Sequence, residues 1–309
     1  MKDNWIEYKN GNYTVALNLS DGTKIRETEE DQFVADFPES MDIKITNRCN
    51  MGCPMCHENS TCDGKHGDIL NTKFIEQLHP YTELALGGGN VLEHPYLLEF
   101  LEKLKTLKMI PNITLNQTHF MENLDLVKYM VENTLIYGLG VSLNEVTKEF
   151  IEAVSKFPNA VIHVINGIVT MEELEKLKGH NLKILVLGYK EVRRGDALYK
   201  NENSRNAIDH NKLMFFKQIG TILKENWFDV VSFDNLAINQ LAMKRFMTDE
   251  EWDEFYMGDD GIDGEMTSAS MYVDLVEKEF AKNSCDTNNR YPISNLTAEQ
   301  MYQFLRNKT

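Results

Sequence analysis

The sequence contains no long uninterrupted hydrophobic run, and this absence excludes membrane-spanning proteins built on helices. No stretch approaches the roughly eighteen apolar residues that such a helix needs. The opening segment, Met1–Glu7, has no apolar core of the kind a secretory signal carries. We therefore expect no membrane partner and a cytoplasmic location.

Positive charge is also scarce. Lys and Arg number 32 against 48 Asp and Glu, which gives a formal net charge of −16 at pH 7. Such a balance disfavours the phosphate backbone of a nucleic acid or an anionic membrane as the main partner. Nucleic acid is therefore not expected among the ligands.

A disulfide framework is missing as well. The chain has 5 cysteines, an odd number, and three of them fall between Cys49 and Cys56. This usage is typical of a reducing compartment rather than a secreted scaffold. The sequence also shows no internal repeat beyond an alternation of strand and helix patterns, and no low-complexity tract.

That alternation begins at Met41, where short apolar runs start to alternate with helical patterns. It indicates βα units with a mainly parallel sheet, and six repeats predict an α/β fold, a partial (β/α)6 TIM-like barrel. In such a barrel the loops that follow the strands meet at one mouth. The predicted strands are Ile43–Thr46, Glu83–Leu86, Asn112–Asn116, Gly138–Leu143, Ala160–Ile165, Lys183–Leu187 and, as a seventh, Asp229–Phe233.

Two further regions flank the predicted barrel, which spans residues 41–235. Residues 1–40 carry Asn-Gly and Asp-Gly turns between β-rich runs and predict an N-terminal β-hairpin. Residues 236–309 predict a C-terminal α+β extension that caps the mouth. Within it, the acidic segment Gly258–Gly264 lacks the carboxylate spacing of a calcium loop and is predicted to be a solvated turn.

The densest chemical signal is the cysteine motif Cys49-x3-Cys53-x2-Cys56, directly after the first predicted strand. Three thiolates on one loop can hold three irons of a [4Fe–4S] cluster and leave the fourth iron open for a small molecule. A zinc site is the alternative, with His57 or a downstream residue as fourth ligand. The cysteines alone leave both alternatives open.

A glycine run, Gly87-Gly88-Gly89-Asn90, follows the second predicted strand. Glycines at the end of a strand let backbone groups approach a ligand that side chains would block. A tight turn without any ligand is the alternative for the run taken alone. Its position one βα unit after the cysteines favours a ligand.

Together these features resemble the radical S-adenosylmethionine (radical SAM) superfamily. The resemblance covers roughly Met41–Tyr189 and rests on the cysteine spacing, the glycine run and the strand–helix rhythm. Two positions depart from the family pattern. Met55 stands where an aromatic residue is more frequent, and Asn90 stands where glutamate is frequent.

The resemblance implies a cofactor pair and a reaction. Cys49, Cys53 and Cys56 would ligate a [4Fe–4S] cluster whose fourth iron is chelated by the amino and carboxylate groups of SAM. An electron donor such as flavodoxin or ferredoxin would reduce the cluster. Reductive cleavage of SAM then gives a 5′-deoxyadenosyl radical that takes a hydrogen atom from the substrate.

The resemblance also implies which residues contact SAM. The glycines would hold its amino group, and polar residues after later strands would approach its carboxylate, ribose and adenine. The predicted SAM contacts are Met55, Gly87, Gly88, Gly89, Asn90, Asn116, Ser142, Asn144, Asn166 and Gly188.

Cys62 and Cys285 lie outside the cluster motif. In some radical SAM peptide epimerases a thiol returns a hydrogen atom to the substrate radical, so either residue is a candidate catalytic hydrogen donor; an ordinary thiol is the alternative. Two cysteines are too few for another cubane cluster. We therefore predict a single cluster.

The substrate is less constrained by the sequence. A peptide or protein side chain is the first expectation, because the long C-terminal part and the spare cysteines suit that branch of the family. A nucleotide or other small metabolite is the second, favoured by the cations of Lys190–Arg194. A non-catalytic zinc-binding module is the alternative of another class.

The cysteine assignments predict a contrast between two variants. Cys53→Ala should abolish both the cluster and SAM cleavage, because the cluster loses one of three protein ligands. Cys285→Ala should leave both intact. Iron analysis and the yield of 5′-deoxyadenosine measure the two properties, and SAM cleavage by Cys53→Ala would contradict the assignment.

Overall fold

The structure, a computed structural model, describes residues 4–255 and 269–308. The predicted acidic turn Gly258–Gly264 lies outside the described residues. No helix in the described part of the chain is long and apolar enough to cross a membrane.

The first three strands form a small antiparallel sheet. They are β1 (Trp5–Asn10), β2 (Tyr13–Asn18) and β3 (Lys24–Glu27). The predicted hairpin is β1–β2, which turns at Gly11, and β3 extends it. Gly11 has a φ of 61°, and a Cβ there would lie 1.7 Å from the carbonyl oxygen of Val34, so the turn requires glycine.

The main sheet contains seven parallel strands in chain order. They are β4 (Ser40–Thr46), β5 (Glu83–Gly88), β6 (Ile110–Asn116), β7 (Gly138–Ser142), β8 (Ala160–Ile165), β9 (Lys183–Leu187) and β10 (Val230–Phe233). Each coincides with a predicted strand to within a few residues. The protein is thus a mixed α/β fold with a large parallel sheet, as the strand–helix rhythm predicts.

Helices connect these strands. They are α1 (Leu97–Thr106), α2 (Gln117–Glu122), α3 (Leu124–Glu132), α4 (Lys148–Val154), α5 (Met171–Leu177), α6 (Arg194–Lys200), α7 (Glu202–Lys224), α8 (Asn235–Gln240), α9 (Asp249–Phe255) and α10 (Ala298–Arg306), with 3₁₀ turns at Lys73–Gln77, Val91–Glu93 and Met243–Phe246. The helical sequence pattern of Asn71–Leu78 forms only the first of these 3₁₀ turns, Lys73–Gln77. Thr72 does not cap it with its side chain, and Pro80 follows closely.

The chain returns to the main sheet near its C-terminus. β11 (Ser270–Asp274) pairs in parallel with β4, and β12 (Glu279–Ala281) and β13 (Tyr291–Pro292) continue the sheet antiparallel. β11 falls on the apolar run Met271–Leu275 of the C-terminal extension. It makes β4, the strand before the cysteine motif, a central strand.

The two faces of the sheet differ. Alternate residues such as Ile113 and Ile162 are fully buried beneath helices, whereas their neighbours Thr114 and His163 are partly accessible. This period of two is that of a strand with one covered and one open face. The open face is the one available for a ligand.

Glu39, just before β4, joins the small sheet to the main one. Its carboxylate is 1% exposed and accepts hydrogen bonds from Tyr13 (2.5 Å) and Arg26 (2.8 Å), with Lys24 at 3.1 Å. Burial alone would raise the pKa of Glu39, but the hydrogen bond and charge of Arg26 outweigh burial and lower it. The ion pair therefore stabilises the junction only while Glu39 is ionised.

Replacing this carboxylate should be costly. Glu39→Gln leaves Arg26 without its anion and should lower the free energy of unfolding by about 2–3 kcal/mol at pH 7. Because the pKa of Glu39 is lower in the folded state, this contribution is complete above the unfolded value of 4.5 and disappears as the pH falls through the folded value. Urea unfolding at several pH values measures the difference.

A surface carboxylate provides the control. Glu132 forms an exposed i,i+4 pair with Lys128, so Glu132→Gln should change stability by less than about 0.5 kcal/mol. If the two variants were equally stable at pH 7, the role given to Glu39 would be wrong.

Candidate functional site

The three clustered cysteines lie on the loop of residues 47–67, which we call the cysteine loop. The loop follows β4 and folds back on itself: the Cys49 amide donates to the Thr61 carbonyl (2.8 Å), and the Thr61 amide donates to the Asn47 carbonyl (3.1 Å). These bonds give defined positions to a segment that has no helix or long strand. The motif is thus held at the carboxyl end of a central strand, as predicted.

The thiols of Cys49, Cys53 and Cys56 are free and half-buried. Burial raises the pKa of Cys49 and of Cys53, which keeps both thiols protonated in the protein alone. Binding a metal centre would therefore release protons from these side chains.

The three thiols are soft donors on one loop. Among residues 4–255 and 269–308, no three His, Cys, Asp or Glu side chains converge as ligands of one metal ion. Thiolates ligate both zinc and the irons of an iron–sulfur cluster.

The glycine run packs directly against the start of the cysteine loop. A Cβ at Gly88, whose φ is 107°, would lie 2.2 Å from the carbonyl oxygen of Thr46, and one at Gly89 would lie 2.1 Å from that of Arg48. The Gly89 amide donates to the Thr46 carbonyl at 2.8 Å. Gly88 and Gly89 are therefore required by a backbone-to-backbone contact.

Gly87 differs from its two neighbours. A Cβ built there meets no atom within 4 Å. Of the three glycines, it is therefore the one whose backbone faces open space that a ligand could fill.

Asn90 has a local role. Its amide N–H donates to the Arg48 carbonyl (2.7 Å), while its side chain caps the following 3₁₀ turn at Leu92 and donates to Glu93 (3.2 Å). The side chain and the backbone N–H are thus both engaged within the protein, and the Asn90 carbonyl accepts from the Glu93 amide at 3.1 Å.

Asn116, the last residue of β6, and Asn144, just after β7, form a reciprocal pair through their side-chain amides. Each donates to the other, at 2.8 and 2.7 Å. Gln117, which the sequence did not single out, accepts from the Asn144 amide at 2.8 Å and fixes that turn. Ser142 lies opposite Asn116 in the strand register and is partly accessible. Three of the predicted SAM contacts are thus together at the end of β6 and β7.

Asn166 and Gly188 are less open. Asn166 is 1% exposed and donates to Gln240 (3.0 Å), and the Gly188 amide donates to Asp234 at the start of α8 (2.9 Å). A Cβ at Gly188 would lie 2.4 Å from Leu236. Within the described chain, α8 thus packs over this part of the sheet edge.

The cations after β9 are engaged with the protein. Arg193 donates to the His57 carbonyl (2.6 Å), Arg194 donates to the Ser60 carbonyl (2.5 Å), and Lys190 donates to Ser284 (3.0 Å). Each side chain thus has a neutral protein partner, and binding of a substrate carboxylate or phosphate by these cations stays a prediction. Sequence alone could not pair the two arginines with a loop more than a hundred residues away.

The loop that follows β9 meets the cysteine loop. β9 lies five places from β4 in the main sheet. Arg194, at the start of α6, donates to the carbonyl oxygen of Cys53 at 3.4 Å. Segments that follow two well-separated strands are thus in direct contact.

A buried charge network supports the cysteine loop from below. Glu58 accepts from Lys44 (3.1 Å) and Tyr272 (3.3 Å), and Lys44 also pairs with Asp274 (3.0 Å). Burial alone would raise the pKa of Glu58, but His57 and Lys44 outweigh it and hold that pKa well below its usual range. The network joins the cysteine loop to β4 and β11, and no local pattern in the sequence signals it.

The open face of the sheet is polar and concave. Asp42 on β4 is accessible, yet burial by the surrounding protein raises its pKa. His163 on β8 is partly accessible, yet burial lowers its pKa to about 4, so its imidazole is neutral at pH 7. A side chain that is accessible and yet surrounded by protein lies in a concave part of the surface, which we call the polar hollow.

The remaining candidates occupy different places. Met55 is partly exposed, and its carbonyl oxygen lies 3.6 Å from a Cβ built at Gly195 after β9. Cys285 is half-buried beside Ser284, the partner of Lys190, and so lies near this mouth. Cys62 is exposed, and its thiol donates to Asp63 (2.8 Å), which raises its pKa.

Comparison with known proteins finds similarity in structure alone. No model of a protein family matches the chain, and no curated protein matches it. Crystal structures of SuiB from Streptococcus suis do match. The structure of SuiB bound to the precursor peptide SuiA has a TM-score of 0.61, and the match covers 99% of this chain and 88% of the SuiB chain. The structure of SuiB bound to S-adenosylmethionine has a TM-score of 0.63, and the match covers 98% of this chain and 87% of the SuiB chain. In both comparisons the two sequences are 10% identical. This similarity shows that the chain shares the fold of SuiB.

The glycine geometry predicts different effects for two similar substitutions. Gly89→Ala should lower the free energy of unfolding by about 2–4 kcal/mol, because the new methyl collides with the Arg48 carbonyl. Gly87→Ala should change it by less than about 1 kcal/mol and instead weaken SAM binding by the reconstituted protein. Urea unfolding and titration calorimetry measure the two effects; equal destabilisation by both would contradict the distinction.

Proposed function

We propose that this chain, which has the radical SAM fold, is a radical SAM enzyme that acts on a peptide or protein side chain. Cys49, Cys53 and Cys56 would hold a [4Fe–4S] cluster. The observation that carries the proposal is the placement of three free thiols at the carboxyl end of a central parallel strand, packed against a glycine turn. Ligands of parallel α/β sheets bind at that end.

The cluster and SAM, when bound, supply reductive cleavage of the sulfonium and a primary carbon radical that abstracts hydrogen. The protein's own residues bind, orient and exclude water. The open backbone at Gly87 would accept the amino group of SAM, and Met55 on the cysteine loop would pack beside the ligand. Met55 offers its backbone in place of the more frequent aromatic residue.

Strand-end amides would hold the rest of SAM. Asn116 and Asn144 fix each other's orientation, so the pair presents hydrogen-bonding groups that do not need to reorganise when the ligand arrives. Ser142 lies beside them with its hydroxyl on the open face. Asn166 and Gly188 would border the adenine only through the surface that α8 leaves accessible.

We further propose that the main sheet is a partial (β/α)6 barrel. The contact of Arg194 with the cysteine loop supports this, because curvature of the sheet brings the loops after β4 and β9 closer together. Residues 1–40 would then be an N-terminal preface, residues 41–235 the barrel, and residues 236–309 the extension that carries Cys285 to the mouth. Cys285 is the better placed of the two candidate hydrogen donors, because Cys62 is exposed.

The substrate proposal rests on two observations. SuiB, which shares the fold, has been crystallised with its precursor peptide SuiA. The polar hollow lined by Asp42 and His163 offers hydrogen-bonding and charged groups for a polar segment. We propose a cytoplasmic location with a flavodoxin or ferredoxin as electron donor, since all five cysteines are free.

Anaerobic reconstitution tests the cofactor directly. Treatment with iron and sulfide should give a brown protein with about four irons per chain, because one cubane contains four. On reduction with dithionite the protein should cleave SAM to 5′-deoxyadenosine. A colourless protein that retains a single zinc ion and leaves SAM intact would overturn the proposal.

A further inference from the structure

We propose that Arg194 is a positioning residue for the cysteine loop and that its guanidinium sets the charge beside the cluster. This inference rests on the proposed cluster. It assigns a function to a side chain that follows β9, far from the cysteines in sequence.

The contacts of Arg194 span the loop. Its guanidinium donates to the carbonyl oxygens of Cys53 (3.4 Å) and Ser60 (2.5 Å) and to the side chain of Asn59 (3.0 Å). Three acceptors around one planar fork fix a position that a lysine ammonium cannot reproduce. Residues on both sides of Cys56 are thereby held by a single side chain.

The backbone beside Arg194 is committed to this placement. Arg193 has a φ of 50° and a ψ of −120°, a conformation that non-glycine residues rarely adopt. Gly195 has no room for a side chain, since a Cβ would lie 2.1 Å from the Lys190 carbonyl oxygen, and Tyr189 donates to the Gly195 carbonyl (2.7 Å). A strained, tightly packed turn therefore aims two consecutive arginines at the cysteine loop.

The two arginines differ in charge compensation. Arg193 lies 3.6 Å from the carboxylate of Glu58. Arg194, by contrast, has only neutral oxygens as partners and no carboxylate within ion-pair distance in the described part of the chain. A half-buried cation without an anion is unfavourable unless a ligand supplies the negative charge.

The proposed cluster supplies that charge. Three thiolates and inorganic sulfides make the site more negative, and reduction adds one further electron. A fixed positive charge nearby stabilises the reduced form over the oxidised one, so it raises the reduction potential. Arg194 would thus make the cluster easier to reduce as well as hold its loop.

Two variants and one control test the proposal. Arg194→Met removes the charge and the fork, and Arg194→Lys keeps the charge but not the fork. Arg205→Met removes a cation from an exposed site on α7 that has no ion pair in the described structure. The readouts are the midpoint potential of the reconstituted cluster, followed by electron paramagnetic resonance, and hydrogen exchange of the Cys49 and Thr61 amides in the metal-free protein.

The expected results separate charge from geometry. Arg194→Met should lower the ratio of reduced to oxidised cluster at a fixed potential about tenfold, which is about 59 mV for one electron. It should also speed exchange of both loop amides about tenfold. Arg194→Lys should keep the potential near wild type while exchange is still faster, and Arg205→Met should change neither property.

The outcomes also separate this proposal from the proposed function. Failure of the wild-type protein to take up iron would overturn the proposed function. Hydrogen exchange in the metal-free protein would still decide whether Arg194 positions the cysteine loop. Loss of iron by Arg194→Met with retention by Arg205→Met would support positioning. The inference would be overturned if the Cys49 and Thr61 amides of Arg194→Met exchanged at wild-type rates and its cluster, where it forms, had a wild-type midpoint potential.

Discussion

The close backbone contact between the glycine turn and the start of the cysteine loop is the constraint on which the site depends. Gly88 and Gly89 lie against the carbonyl groups of Thr46 and Arg48 at separations that exclude any Cβ. That contact fixes the exit of β4, and hence the direction in which the loop leaves the sheet. Backbone contacts between β4 and β5 thus fix where the cysteine loop leaves the sheet, independently of the loop's own side chains.

Side chains from elsewhere in the chain then fix the loop itself. His119 on α2 contacts Asn50 through a hydrogen bond of 2.8 Å, Arg194 contacts the loop from β9, and Glu58 ties it to Lys44 below. A loop without regular structure needs such ties, because its backbone would otherwise exchange among many conformations. The result is a pre-organised set of thiols whose positions are determined by the whole sheet.

Local patterns predicted much of this arrangement. Alternating runs located all seven parallel strands, and the cysteine and glycine motifs were placed correctly after the first two, because both depend on residues close in sequence. The ties were not predictable in the same way. Tyr272 and Glu58 are 214 positions apart, and nothing in either segment indicates the partner. The capping role of Asn90 was also missed, since an asparagine after a strand suits a ligand contact and a turn equally well.

The central claim is that three thiolates leave one iron open for SAM. Mössbauer spectroscopy of protein reconstituted with isotopically labelled iron tests it most directly, because the spectrum distinguishes irons by their ligands. Addition of SAM should change the signal of one iron in about four and leave the other three unchanged. An identical spectrum with and without SAM would contradict the account, as would a change shared equally by all irons.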